Sequence, residues 1–257
     1  VIKLPHISFS ELKNWSFCPF YHKLTYIDKL RGFAGNEYTA FGTAIHTICE
    51  NKLLSKGSAD FEEFKSEFIE EISKLPEDLE LNEKLILDMG PQAEKIIPQI
   101  QPALDEYFKD GYEVLQTEEP LMERIEETDY NFKGFIDAVL KTPDGKIHLI
   151  DWKSCSWGWD ARRRSDPMVN YQLTYYKIFY AQKHQVDLKD IETHFCLLKR
   201  TAKDSNVEFF RVTSGNKKQS NAMELLNKSL FNIQKKNFIK DKRSCAKCEF
   251  YKTEHCP

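Results

Sequence analysis

Residues 131–154 read NFKGFIDAVLKTPDGKIHLIDWKS, two apolar runs of strand length separated by Thr142-Pro143-Asp144-Gly145. Proline followed by Asp-Gly is a strong turn signal, so the two runs pair as antiparallel strands. A third strand-like stretch at 112–125 precedes them, which makes a meander. Alternate residues of a strand share a face, so Asp151 and Lys153 point one way while Ile150 and Trp152 point the other. The preceding run ends a similar alternation at Asp137. Two carboxylates and one ammonium are thereby expected to converge at one edge of a sheet, although the pattern leaves the hairpin register open.

Around this meander the spacing of apolar residues predicts helices over 11–26 (capped by Ser10), 41–54, 61–72, 167–185 and 217–239. A further helical stretch at 81–108 should break near Gly90-Pro91 and Pro98. Strands follow at 194–199 and 207–212. This order fits an α/β protein with a mixed sheet flanked by helices. No repeat or Gly/Ser linker divides the chain, so a single domain over 1–257 is expected, with a helical insertion at about 55–110 and a cysteine-rich tail at 240–257.

With 41% hydrophobic and 30% charged residues, the composition is that of an ordinary folded protein. A net charge of −3 announces no global basic field, but a carboxylate-rich metal site would mask local basic patches in such a count. No apolar run approaches the roughly 20 residues that span a bilayer, and VIKLPHISFS lacks the parts of a signal peptide. The expectation is therefore a cytoplasmic protein with no membrane partner. Seven cysteines without a secretion signal argue against a disulfide framework.

Acid-x-lysine also occurs at Glu11, Glu50, Glu63, Asp144 and Asp187, and such pairs are usually solvated surface charges. Asp151 differs because it ends a buried-looking strand and has a second aspartate in Gly134-Phe-Ile-Asp137 just upstream. Paired carboxylates suit a hard cation such as Mg2+ or Mn2+, which activates water and offsets phosphoryl charge. A neighbouring lysine can orient that water or neutralise developing negative charge. His46 and Glu50 lie four apart in GTAIHTICE and share a helix face, as do Gln172 and Tyr176 in the helix after the DWK strand.

The ordered set Gly42-Thr-x-x-His46, Gly134-x-x-Asp137, Asp151-x-Lys153 and Gln172-x-x-x-Tyr176 resembles the PD-(D/E)XK nuclease superfamily, and within it the RecB-type branch. The likeness spans about residues 8–257 and includes an opening helix with Ser10, Leu12 and Cys18-Pro19-Phe20. That resemblance implies a restriction-endonuclease-like core sheet and a metal-dependent DNA nuclease. His46, Asp137 and Asp151 would be metal ligands, with the Trp152 backbone carbonyl as a fourth. Lys153 would be the catalytic lysine, and Gln172 and Tyr176 would position the substrate strand. Glu50 would support His46 from behind, whereas Glu119 receives no role. The expected activity is exonucleolytic, on single-stranded DNA or DNA ends, with a helicase, recombination or CRISPR adaptation partner. A catalytically silent DNA-binding or assembly module on the same fold is the rival, disfavoured because every key position is filled.

Cys245-Ala-Lys-Cys248 and Cys256 supply three thiolates, and a tetrahedral or cubane site needs a fourth ligand, Cys18 or His255. Zinc is the default from spacing. Some RecB-type nucleases, the AddB subunit among them, hold a 4Fe-4S cluster with one cysteine before the histidine motif and three at the C-terminus. Cys18, Cys245, Cys248 and Cys256 fit that layout, although the Cys248–Cys256 gap is wide. In the loop after the DWK strand, Trp157, Trp159, Arg162, Arg163 and Arg164 interleave rings and cations as a single-strand DNA contact would.

Overall fold

The computed structural model describes residues 4–30, 33–55 and 59–257. Six strands, β1 (His6–Ser8), β2 (Glu113–Arg124), β3 (Asn131–Lys141), β4 (Ile147–Cys155), β5 (Ile191–Lys199) and β6 (Val207–Val212), form one mixed sheet. They hydrogen-bond in the order β1-β3-β4-β5-β6, and β2 also pairs with β3. The helices are α1 (Phe9–Phe17), α2 (Pro19–His22), α3 (Glu37–Leu54), α4 (Phe61–Ser73), α5 (Glu83–Tyr107), α6 (Ala161–Ser165), α7 (Pro167–His184) and α8 (Asn216–Gln234). The fold is therefore mixed α/β with a helix-flanked sheet. None of the described helices is long and apolar enough to cross a membrane.

Contacts divide the chain into two compact units. One comprises Val1–Ala34, Leu121–Gly134 and Ser214–Pro257. In it β1 runs parallel to the start of β3, with Ile7 opposite Phe132. The expected first helix is here three pieces, because Cys18 is extended (φ −165°, ψ 116°) and Pro19 restarts the helix at its first turn. A π-helical turn, Lys23–Ile27, completes it, and the N-cap is Ser8 rather than Ser10. Ser8 sits where the chain leaves β1, a strand too short to be read from periodicity.

The other unit comprises Gly35–Pro120 and Phe135–Thr213. β3 and β4 pair antiparallel across the TPDG turn, with Ala138 opposite Ile150 and Leu140 opposite His148. From β4 the chain crosses through α6 and α7 into β5, which lies parallel to β4 with Asp151 opposite Phe195. On one face of these strands Ala138, Leu140, Ile150, Trp152, Cys196 and Leu198 meet the apolar sides of α3, α4 and α5. Fully buried Phe41, Ile45 and Ile48 come from α3, Phe64 from α4, and Ile96 and Ile100 from α5.

α5 does not break where the prolines predict. It runs 25 residues with Pro91, Pro98 and Pro102 inside it. All three face solvent, as do Leu87, Glu94 and Pro98, whose carbonyls lose their partners four residues on. Water can satisfy those carbonyls, while Met89, Ala93, Ile96, Ile97, Ile100 and Leu104 stay buried on the other side and hold the helix to the sheet. Tertiary burial of one face outweighs the lost hydrogen bonds on the other.

Candidate active site

α3 starts at a reciprocal capping box, in which the Asn36 side chain accepts from Thr39 N–H and the Thr39 hydroxyl takes the Asn36 N–H. It passes close to β4 at Gly42, where a side-chain Cβ would lie 3.4 Å from Ser154 Oγ. One turn later His46 reaches the sheet edge, with Nδ1 3.6 Å from Asp137 Oδ2. The Trp152 backbone carbonyl also faces the His46 ring.

Continued by one residue, the β3/β4 register sets Asp137 across from Asp151. Asp137 Oδ2 accepts the Trp152 backbone N–H at 2.7 Å, fixing the first carboxylate against the second strand. Asp151 is buried; its Oδ1 accepts from Gln172 Nε2 at 2.8 Å, and Gln172 also donates to the Tyr176 hydroxyl at 3.1 Å. Lys153 Nζ stands 2.6 Å from Asp151 Oδ2, but that oxygen receives no well-aligned hydrogen bond. The structure thus brings His46, Asp137, Asp151, Lys153, Gln172 and Tyr176 together.

Burial pushes the Asp137 carboxyl up to about 7, opposed by Lys153 and the Trp152 N–H and reinforced by Glu118 and Glu50. Burial likewise raises Asp151 to about 6, again opposed chiefly by Lys153. His46 moves the other way, down to about 4, through desolvation and then the Lys153 charge, so its imidazole is neutral over the physiological range. Tyr176 is held above the ordinary phenol range by burial and by Asp151, and keeps its proton. Two buried carboxyls and a neutral imidazole converging at one sheet edge form a donor set suited to a divalent cation.

Two further acids approach the site: Glu50, which shares a helix face with His46, and Glu118, which sequence spacing did not select. Thr117 donates to Glu50 Oε1 at 2.9 Å, so Glu50 is held by β2. Glu118, next along β2, is raised by partial desolvation and then by Glu50 and Asp151. Its backbone is left-handed (φ 47°), a conformation that costs a non-glycine residue about 1 kcal/mol and often marks functional sites. Glu119 points elsewhere, to Lys183 and His184 at 2.9 and 2.6 Å. In the sequence Glu118 and Glu119 are indistinguishable; the left-handed residue in the strand decides which faces the acids.

The sequence profile of the PD-(D/E)XK nuclease superfamily matches residues 6–253. The chain belongs to that superfamily. No curated protein sequence matches significantly. Among solved structures, one described as "Putative exonuclease" from Eubacterium rectale aligns with a TM-score of 0.60 at 15% identity, over 95% of this chain and 86% of that one. SSO0001 aligns at 0.44 and 13% identity, over 97% and 85% of the two chains. LHK-Exo in complex with dAMP aligns at 0.28 and 13% identity, over 81% and 98%. At these identities the first supports the fold, and the other two scores are too low to add to it. PD-(D/E)XK nucleases generally use divalent metals, which accords with the donor set described above.

Four of the seven cysteines, Cys18, Cys245, Cys248 and Cys256, line one cavity of about 380 Å³. Cys18 Sγ accepts the Asp241 N–H at 3.3 Å, and the Phe250 and Tyr251 N–H groups face the Cys248 sulfur. Tight turns absorb the wide spacing: Tyr251 N–H bonds Cys248 O, Cys256 N–H bonds Thr253 O, and Lys252 N–H returns to Cys256 O. His255 lines a different cavity, with Leu30 and Phe33, and pairs with Glu254.

The WGWDARRR loop splits. Trp159 is buried, with its ring edge-on to Phe195 and Phe210 at 5.0 and 5.9 Å, so it packs rather than offering a face to bases. Arg163 lies over the Trp159 ring at 4.6 Å. Arg164 bonds the Trp159 carbonyl and Glu208, at 2.9 and 2.6 Å. Trp157 is 78% exposed and Arg162 is also exposed. Trp159→Ala is expected to cost about 3–5 kcal/mol of stability in urea unfolding, and Trp157→Ala less than about 0.5 kcal/mol.

Proposed function

We propose that the chain is a metal-dependent deoxyribonuclease acting on single-stranded DNA or DNA ends, with its reaction centre at His46, Asp137, Asp151 and Lys153. The observation that carries this is the convergence of buried Asp151, with Lys153 Nζ 2.6 Å from its Oδ2, on a second carboxyl, Asp137, that has His46 Nδ1 at 3.6 Å. His46, Asp137, Asp151 and the Trp152 carbonyl would hold Mg2+ or Mn2+, which supplies a more acidic water and charge compensation for the phosphodiester. Lys153 sits beside the acids, its Nζ 2.6 Å from Asp151 Oδ2, and offsets negative charge on the scissile phosphate. Gln172 fixes the orientation of Asp151, and protonated Tyr176 extends that link along α7. Glu118 and Glu50 add negative charge that favours a cation over an empty site. Exposed Trp157 and Arg162 are the members of the loop free to meet a DNA strand. The exonuclease part of the reading draws on the description of the Eubacterium rectale protein.

End-labelled single- and double-stranded DNA should be cut in Mg2+ or Mn2+ and left intact in EDTA. Asp151→Asn and Lys153→Ala should each lower the rate at least about 10²-fold; wild-type rates in either variant would remove this centre from the mechanism.

Cation binding must displace protons from carboxyls that hold them up to about 7 and about 6. His46 is already neutral above about 4 and releases none in that window. Affinity for Mn2+ should therefore rise with pH and level off above about 7. Calorimetry in buffers of different ionisation heat reads the released protons.

The cysteine cavity is proposed to hold a 4Fe-4S cluster through Cys18, Cys245, Cys248 and Cys256, with Zn2+ as the alternative. Anaerobic purification should give a broad absorbance near 400 nm, on the order of that of a thiolate-bound cluster. Cys18→Ala or Cys248→Ala should lower thermal stability more than the single-turnover cleavage rate of the folded fraction. Normal stability with lost cleavage would contradict a structural role.

A further inference from the structure

Away from the acids, three potential ligands meet where β4 and β5 begin. His148, Ile150 and Trp152 alternate onto the sheet face opposite Asp151 and Lys153, and His148 stands across from Glu192, with Ile150 across from His194. We propose that His148 Nδ1, His194 Nε2 and one carboxylate oxygen of Glu192 form a second divalent-metal site that takes Zn2+. These three atoms lie within 4.8 Å of one another, the one such group among the described residues.

Each ligand is oriented from behind as a metal site requires. Tyr107 on α5 places its hydroxyl 3.0 Å from His194 Nδ1, and Thr142 places its own 2.9 Å from His148 Nε2. Arg211 binds Glu192 Oε1 at 2.9 Å, leaving Oε2 toward His148 Nδ1 at 3.9 Å. The rings are 7% and 2% exposed, so little solvent competes for their lone pairs. His148 and Glu192 also line a cavity of about 540 Å³ with Tyr107, Thr142 and Asp144, through which an ion and a water ligand can enter. Desolvation lowers both histidines, His194 to about 3, which keeps them in the neutral, ligating form. Lys146, Arg211 and, toward Glu192, Lys177 are cations nearby, offset by Glu192 and Asp144. Two imidazoles and one carboxylate match the borderline softness of Zn2+ better than that of Mg2+.

The metal-free alternative is a hydrogen-bonded relay. His148 Nδ1 and His194 Nε2 are 3.0 Å apart, and a proton on one of them would join the Tyr107 and Thr142 hydroxyls into a satisfied chain. The site is independent of the nuclease reading, so its test must be blind to the acids and the cysteines. The full chain, purified anaerobically, is titrated with Zn2+ in excess Mg2+, and wild type is compared with Glu192→Gln and His148→Gln. Each variant should bind one equivalent fewer, or bind it at least about tenfold more weakly, while Glu192→Gln retains Mg2+-dependent cleavage. On the wild-type protein, Zn2+ should shift the imidazole ¹⁵N resonances of His148 Nδ1 and His194 Nε2, a readout that needs no variant to fold. Unchanged Zn2+ stoichiometry and affinity in both variants, or ring nitrogens that Zn2+ does not move, would overturn the site in favour of the relay.

Discussion

The hydrogen bond from the Trp152 backbone N–H to Asp137 Oδ2 fixes more of this molecule than its 2.7 Å suggests. It lies at the end of the β3/β4 ladder, where the strands begin to part and a main-chain donor becomes free for a side chain. Taking up that donor turns Asp137 toward β4 and holds it against Asp151. Both carboxyls then occupy a poorly solvated edge, and their raised proton affinity is chiefly the cost of that burial, with nearby acids adding to it. Lys153 relieves part of it, and a cation would relieve more.

The crossover from β4 to β5 supplies the remaining polar partners. Parallel strands cannot be joined by a tight turn, so a helix must pass over the sheet face. α7 does so on the side of Asp151, and its Gln172 lands within hydrogen-bond reach of the carboxylate. The opposite face of the same strands packs against α3, α4 and α5 in a dry core, and at its rim His148, Glu192 and His194 gather. Period-two alternation thus gives two adjacent strands a polar constellation on each side, with Trp152 and Ile150 filling the core between the histidines and α3.

Much of the candidate site was legible because spacing within one element is local. Asp151 and Lys153 share a strand face, and Gln172 and Tyr176 share a helix face, whatever the tertiary structure. The four-cysteine pattern could also be read, although the turns that return Cys256 to Cys248 could not. Misreadings arose where tertiary burial outweighed a local rule. The breaks expected near Gly90-Pro91 and Pro98 do not interrupt α5, because the carbonyls left without donors face water and the opposite side is buried. Trp159 looked like a stacking ring but fills a gap beside Phe195 and Phe210. Glu118 and Glu119 carry the same side chain, and one left-handed residue separates their fates.

The sequence by itself determined the strand–turn–strand unit, the order of the longer helices and strands, and which residue types could do chemistry on which face, because these follow from periodicities of 2 and 3.6 residues and from turn stereochemistry. Tertiary structure decided the register that sets Asp137 against Asp151, the approach of α3 that brings in His46, and the meeting of His148 with His194. Those depend on contacts between residues 14 to 112 positions apart in the chain, which no local pattern encodes.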